Sequence, residues 1–225
     1  WLAGLGRIGR NTTLINDQYG SWFFLAALLS GAELEYDVPQ QGDPCGRCRA
    51  CIEACPTGAL VEPYVLDARS CLSCLTIEQR GPIPLPLRGK LGWRVFGCDT
   101  CQEVCPWNKT AACSAEAAFQ PLPGNNPLEL KEVLTLNEAA FANRFRQTVL
   151  LRAGRLGLLR NAAIVLGNQA AQDAVPLLQL AADDPDPTVA EAARWAIGVS
   201  QTADRAGAHP AQSSARTQNS PDRAD

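Results

Sequence analysis

The sequence predicts an α+β chain in three parts: a closing remnant of an α/β domain over residues 1–44, a small loop-rich domain over 45–115, and an α-helical repeat region over 116–200. A tail follows over 201–225. Three observations carry this. All ten cysteines lie between Cys45 and Cys113, mostly two or three residues apart. A stretch with Gly4, Gly6 and Gly9 and then an apolar run precedes them. From about Asn137 the pattern turns helical, and Asn161-Ala162-Ala163-Ile164-Val165-Leu166-Gly167 is echoed 31 residues on by Ala192-Ala193-Arg194-Trp195-Ala196-Ile197-Gly198.

Residues 1–44 end on the turn-forming Pro39-Gln40-Gln41-Gly42-Asp43-Pro44. The sequence has no Met and opens on Trp1 inside a glycine-rich segment, so an N-terminally truncated piece is expected. Its longest apolar run, Trp22 to Leu29, is followed by Glu33-Leu34-Glu35, whereas a bilayer span needs roughly 20 apolar residues, so no membrane segment is expected. A net charge of −3 lacks the basic excess of many nucleic-acid binders, and any such contact must come from a local patch. Gly4-x-Gly6-x-x-Gly9 matches the dinucleotide fingerprint, but that motif has meaning only between a strand and a helix, with an acidic residue roughly 20 positions on. Neither the strand nor the acid is visible.

The second part carries the chemistry. Cys45-x2-Cys48-x2-Cys51-x3-Cys55-Pro56 is the bacterial ferredoxin run, in which three thiolates hold one four-iron cube and the fourth reaches the other cluster. Structural zinc uses paired knuckles rather than three closely stepped cysteines and a Cys-Pro, and a secreted disulfide framework has no need of this spacing. Cys98-x2-Cys101-x3-Cys105-Pro106 repeats the pattern with one ligand missing. A crossed arrangement places Cys45, Cys48, Cys51 and Cys105 on a first [4Fe–4S] cluster, and Cys55, Cys98, Cys101 and one remote cysteine on a second. Spacing leaves Cys71, Cys74 and Cys113 open as that fourth ligand. Between the runs, Gly81-Pro82-Ile83-Pro84-Leu85-Pro86 is a poorly helical stretch, because each Pro removes a donor and biases its predecessor away from helix.

In the third part, Ala174-Val175-Pro176-Leu177-Leu178 supplies a second helix between the echoed copies, and Asp183-Asp184-Pro185-Asp186-Pro187 a tight loop, which resembles a short HEAT-like repeat. Between Glu138 and Asp173 there is no acidic residue but there are five arginines, Arg144, Arg146, Arg152, Arg155 and Arg160. Such a run grips nucleic-acid phosphates, or it is a helix face whose arginine stems cover apolar surface. The residue types leave both open. The tail from Gln201 has almost no large apolar residue and is expected to be disordered, with His209, the only His, in solvent.

Longer motifs add a resemblance. Cys45-Gly46-x-Cys48 through Ala54-Cys55-Pro56-Thr57-Gly58-Ala59-Leu60, Leu66-Asp67-Ala68-Arg69-x-Cys71-x-Ser73-x-Leu75-Thr76-Ile77-Glu78, Gly81-Pro82-Ile83-Pro84 and Gly97-Cys98-Asp99-x-Cys101-Gln102-Glu103-Val104-Cys105-Pro106-Trp107-Asn108 together resemble the tRNA epoxyqueuosine reductases, over about residues 1–110. That family is similar to the reductive dehalogenases in joining a cobalamin-binding α/β domain to a two-cluster ferredoxin-like domain, often with HEAT-like helices behind. The resemblance implies that residues 1–44 are the end of the cobalamin domain, that Cys71 is the remote ligand, and that Cys74, where the family usually has an aromatic residue, is a spare thiol like Cys113. It implies Ser73 and the Cys98-Asp99 backbone beside cobalamin, and Arg80 near tRNA. It places the proton-donating Asp upstream of Trp1, leaving no catalytic residue in this chain. Where the family has Gly-x-Gly-x-x-Gly-Lys-Asn beside the corrin, Arg10 replaces the Lys and Arg7 a usual aromatic. The implied reaction is reduction of epoxyqueuosine to queuosine at the wobble position of a tRNA with a GUN anticodon, fed by an external flavodoxin- or ferredoxin-type donor, in a cytoplasmic, non-membrane, monomeric oxidoreductase. Another corrinoid reductase and a ferredoxin-type electron carrier are the rival readings.

Overall fold

The computed structural model describes residues 1–112 and 114–205. Cys113 and the tail from residue 206, with His209, lie outside the described residues. The regular structure is mostly helix, with little strand. In order it comprises a hairpin of β1 (Arg7–Ile8) and β2 (Leu14–Ile15), α1 (Ala50–Ala54), a hairpin of β3 (Leu60–Glu62) and β4 (Val65–Leu66), α2 (Leu72–Ile77), α3 (Leu85–Leu91), α4 (Thr100–Glu103), α5 (Leu130–Leu134), α6 (Glu138–Phe145), α7 (Gly154–Asn168), α8 (Val175–Ala181) and α9 (Pro187–Arg205). Both hairpins are antiparallel and two-stranded, with Arg7 opposite Ile15 and Leu60 opposite Leu66.

The glycine fingerprint sits in the first hairpin, and no helix follows it, so the strand–turn–helix context of dinucleotide binding is absent among the described residues. Gly6 serves packing instead, since a Cβ there would collide with the Ile15 carbonyl across the ladder. The hairpin docks on the second cysteine run. Asn108 accepts from Ser21 N (2.7 Å) and donates to Ser21 Oγ (2.9 Å), and Tyr64 N donates to Arg10 O (3.1 Å). Beyond it, residues 23–44 form no helix or strand, and Phe24, Leu28 and Tyr36 stand 84%, 94% and 95% exposed.

The helical region is built around α7. Every residue from Gly157 to Gly167 is buried, Arg160 and Asn161 among otherwise apolar or small residues. α9 buries only the stripe Val189, Ala190, Ala192, Ala193, Ala196 and Ser200. The two echoed segments are these two helices, packed on each other. Gly167 allows the close approach: a Cβ there would lie 2.8 Å from Ala196 Cα. Asp186 Oδ1 accepts from Thr188 N at 2.8 Å, and Pro187 opens the helix, so the predicted Pro-stopped loop is a capped helix start. α9 runs on to Arg205, five residues into the stretch expected to be disordered, because Thr202 back-bonds to Gly198 O and Gln172 Nε2 holds Ser200 O (2.8 Å).

The core does not stop at residue 115. Leu72, Leu75, Ile83 and Leu91 join Phe141, Phe145, Leu158 and Ile164 in one apolar cluster. Polar side chains of α7 reinforce the join. Arg160 donates to Leu75 O (2.8 Å), Gln79 O (2.8 Å) and Gly81 O (2.6 Å), Asn161 to Thr76 O (2.8 Å) and Val95 O (2.9 Å), and Asn168 to Arg88 O (2.9 Å). The carbonyls that α2 and its following loop cannot pair internally are thus satisfied from α7. Burial pulls the Arg160 guanidinium down to about 10, with Arg80 and Arg88 adding repulsion, so it stays charged at neutral pH.

Candidate metal centre

The two cysteine runs fold alike. In each, a short helix carries one ligand (Cys51 in α1, Cys101 in α4), and the chain then turns extended at a Cys-Pro: Cys55 at φ −63°, ψ 116° and Cys105 at φ −71°, ψ 125°. The proline enforces that extended residue, which swings the last thiol of each run away from its own helix. α1 and α4 pack together, so each swung thiol faces the other run. Cys45, Cys48, Cys51 and Cys105 line one cavity of about 160 Å³ with Pro44, Ile15 and Trp107. Cys55, Cys71, Cys98 and Cys101 line a second, of about 200 Å³, with Ser73 and Asp99 at its side. Cys74 lines neither cavity. Among the described residues all nine cysteines are free thiols, and no group of three or more Cys, His, Asp or Glu is gathered tightly enough for a single ion.

Asn11, which sequence reasoning passed over, and Arg10, which the resemblance set beside the corrin, separate and brace these rings. Asn11, 4% exposed, lines both cavities; its Nδ2 donates to Cys101 O (3.4 Å), and its Oδ1 accepts from Thr13 N and Oγ1 (3.3 and 2.8 Å). Arg10 N donates to Cys45 Sγ at 3.4 Å, and its guanidinium donates to Cys48 O (3.1 Å) and to Gly46 O. The one sequence signal for them was the Gly-Arg-Asn that closes the glycine motif. Trp107 Nε1 donates to Pro44 O (2.9 Å) and closes the far wall of the first cavity.

Burial sets the thiol chemistry. It pushes Cys101 up to about 12, with Cys98, Cys71 and Cys51 adding repulsion. It also raises Cys51, and raises Cys45 against the Arg10 N–H. Cys55 goes the other way: burial would raise it, but the backbone N–H groups of Leu60, Thr57 and Ala59 and the Thr57 hydroxyl together lower it. A metal cluster must therefore displace protons from Cys45, Cys51 and Cys101, a step that cluster binding itself drives.

The remaining predicted residues are spread out. Arg80 is exposed, and its guanidinium donates to Ala153 O and Arg152 O, both at 2.9 Å. The five-arginine stretch is not one free cationic patch. Arg160 is buried, Arg155 pairs with the buried Asp184 (2.8 Å), Arg144 with Glu132 (3.1 Å) and Arg152 with Glu78 (2.6 Å), which leaves Arg146 without an ion pair among the described residues. Helical periodicity turns these side chains to different sides, where acids from distant segments meet them.

The profile of the 4Fe-4S double cluster binding domain matches residues 44–108, the segment that carries both rings. Epoxyqueuosine reductase of Pseudomonas aeruginosa is 45% identical over 198 residues, 87% of this chain and 54% of that protein. The chain is related to the epoxyqueuosine reductases. Epoxyqueuosine reductase from Bacillus subtilis superposes with a TM-score of 0.82 at 37% identity, over 88% of this chain and 53% of that one. The crystal structure of epoxyqueuosine reductase with a tRNA-Tyr epoxyqueuosine-modified stem loop gives a TM-score of 0.82 at 36% identity, over 88% and 52%. The chain spans about half the length of the epoxyqueuosine reductases it matches. Among the described residues no helix is long and apolar enough to cross a membrane.

Proposed function

We propose that this chain is the electron-delivering part of an epoxyqueuosine reductase, with Cys45, Cys48, Cys51 and Cys105 holding one [4Fe–4S] cluster and Cys55, Cys71, Cys98 and Cys101 a second. The observation that carries the reading is the pair of four-thiol cavities, each completed by the swung Cys of the other run. Two cubes held this way lie side by side, as one-electron steps between them need. The substrate is epoxyqueuosine at the wobble position of a tRNA with a GUN anticodon, in keeping with the stem loop in the related crystal structure. Taking the oxygen from an epoxide to leave an alkene consumes two electrons and two protons and releases water, so the clusters must deliver twice per turnover.

Cobalamin, when bound, supplies the low-valent metal chemistry of oxygen removal. Ser73, Cys98 and Asp99 offer it one wall. They lie on the second cavity, with Asp99 exposed to solvent, so a corrin there would sit against the second cluster and the first would face the donor. Residues 1–44 belong in this reading to the cobalamin-binding α/β domain, and residues 116–200 to a HEAT-like helical support. Arg80 stands near the tRNA, held on the 3-10 turn Val149–Arg152. The acid that protonates the leaving oxygen lies outside these residues. The electron donor is of flavodoxin or ferredoxin type, and the protein works as a cytoplasmic monomer.

The test is complementation of a strain that accumulates epoxyqueuosine with the full-length gene, which also encodes the residues outside this chain, read by mass spectrometry of tRNA nucleosides. Queuosine should return, and should be lost again with Cys101→Ala. A plain electron carrier would show cluster signals and leave epoxyqueuosine in place, which would end this reading.

A further inference from the structure

Beside the first cavity stands a guanidinium that is not a ligand. Arg10 approaches it three ways: its N–H points at Cys45 Sγ (3.4 Å), and the guanidinium fork donates to Cys48 O (3.1 Å) and Gly46 O, on either side of Arg47. Only a planar fork spans two carbonyls this way. The charge is partly balanced by Asp43, whose Oδ2 lies 3.6 Å from Nη2 and whose Oδ1 accepts from Cys45 N at 2.7 Å. The second cavity is treated differently. Thr100 Oγ1 lies 3.5 Å from Cys98 Sγ and accepts from Arg94 Nη2 at 2.9 Å, so its own hydrogen is free for the sulfur. A guanidinium thus stands directly at the first ring and one hydroxyl removed from the second.

We propose that Arg10 is a positioning residue that tunes the cluster held by Cys45, Cys48, Cys51 and Cys105, raising its reduction potential relative to the other cluster and opposed by Asp43. The inference rests on the assignment of these thiols to an iron–sulfur cube. Reduction adds one electron, and so one negative charge, to the cube and its thiolates. A cation and an N–H dipole fixed beside them favour that state, whereas a neighbouring carboxylate disfavours it; net charge and hydrogen bonds to sulfur are among the terms that set such potentials. The clamp on the Cys48 and Gly46 carbonyls holds the charge at one distance, so its effect is constant rather than averaged over rotamers.

The experiment is a dithionite potentiometric titration, followed by electron paramagnetic resonance, of the full-length protein reconstituted anaerobically with iron and sulfide. Arg10→Met should move one midpoint to more negative potential and leave the other in place. Arg10→Lys, which keeps the charge but loses the fork, should recover most of the shift. Asp43→Asn, which still accepts from Cys45 N, should move the same midpoint in the positive direction. Thr100→Val marks the other cluster by moving the other midpoint. Should Arg10→Met not load its first cluster, Arg10→Lys and Asp43→Asn carry the test between them. The proposal is overturned if loaded variants leave both midpoints unmoved, if both move together, or if Asp43→Asn shifts the midpoint the same way as Arg10→Met. A wild-type protein that takes up no iron at all would instead overturn the cluster assignment beneath it.

Discussion

The cysteine-bearing half and the helical half of this molecule are stabilised by different means. Between Trp1 and Ser70 the buried apolar side chains are Ile15, Cys51, Ala59 and Leu60, whereas α7 alone buries Leu158, Leu159, Ala162, Ala163, Ile164, Val165 and Leu166. At roughly 25 cal/mol per Å² of apolar surface, the helices hold themselves together, and the first seventy residues lack the means to do so. What that stretch has is four thiols, Cys45, Cys48, Cys51 and Cys55, which line two cavities together with Cys71, Cys98, Cys101 and Cys105 from beyond it. Its missing folding free energy is what metal binding supplies. The difference teaches that order in one half is conditional on a ligand and in the other intrinsic to the sequence.

The largest effect that tests this contrast is loss of iron. Chelation of the loaded protein should make residues 45–70 and 98–106 open to protease and to hydrogen exchange, while the amides of α7 and α9 stay protected and most helical circular dichroism remains. Equal loss of protection in both halves would break the comparison. Next in size is the choice of remote ligand: Cys71→Ala should lower iron content by about half, because a cube with three thiolates is poorly held, whereas Cys74→Ala should leave it unchanged. The same loss in both variants would mean that the lining of the second cavity misidentifies its ligand.

Smaller, and aimed at the seam between the halves, is Arg160→Met. It strands the buried carbonyl of Leu75 and removes the partner of the Gln79 and Gly81 carbonyls while relieving the cost of a buried charge, and should lower stability by about 2 kcal/mol in denaturant titration of the loaded protein. A change within scatter would show that α7 and the cysteine domain are joined by apolar contact alone. The smallest effect belongs to the exposed pair of Lys131 and Asp173, at 2.9 Å. The Lys131 ammonium holds the Asp173 carboxyl below its ordinary value, so the pair's contribution is present above the unfolded-state pKa and is lost as pH falls through the lower folded one. Asp173→Asn should flatten that acid limb slightly and leave stability at neutral pH nearly unchanged; a marked loss at neutral pH would contradict so exposed a pair carrying little weight.

Much of the helical half was legible from periodicity and from the echoed segments, since a helix is dictated by neighbours three and four residues away. The arginines of that half were not. Their type and spacing were equally consistent with a phosphate-binding stripe and with a covered face, and only partners such as Asp184 and the carbonyls of α2, 29 and 85 residues distant from Arg155 and Arg160, reveal which. The apolar run at residues 22–29 was equally silent, because a string of apolar residues does not say what covers it.

The sequence by itself determined the two cysteine runs and their Cys-Pro ends, and pointed to a crossed arrangement, because spacings of two and three residues and a proline act through local geometry. Among the three cysteines that spacing left open, the family resemblance pointed to Cys71, and the fold brings Cys71 and not Cys74 to the second cavity, for Cys71 precedes the first turn of α2 and Cys74 lies within that helix. Only the fold sets Asn11 between the rings and Arg10 at the first of them, across 38 residues of chain from Arg10 to Cys48. Such contacts depend on where two distant segments meet, which is a property of packing and loop closure that no local pattern encodes.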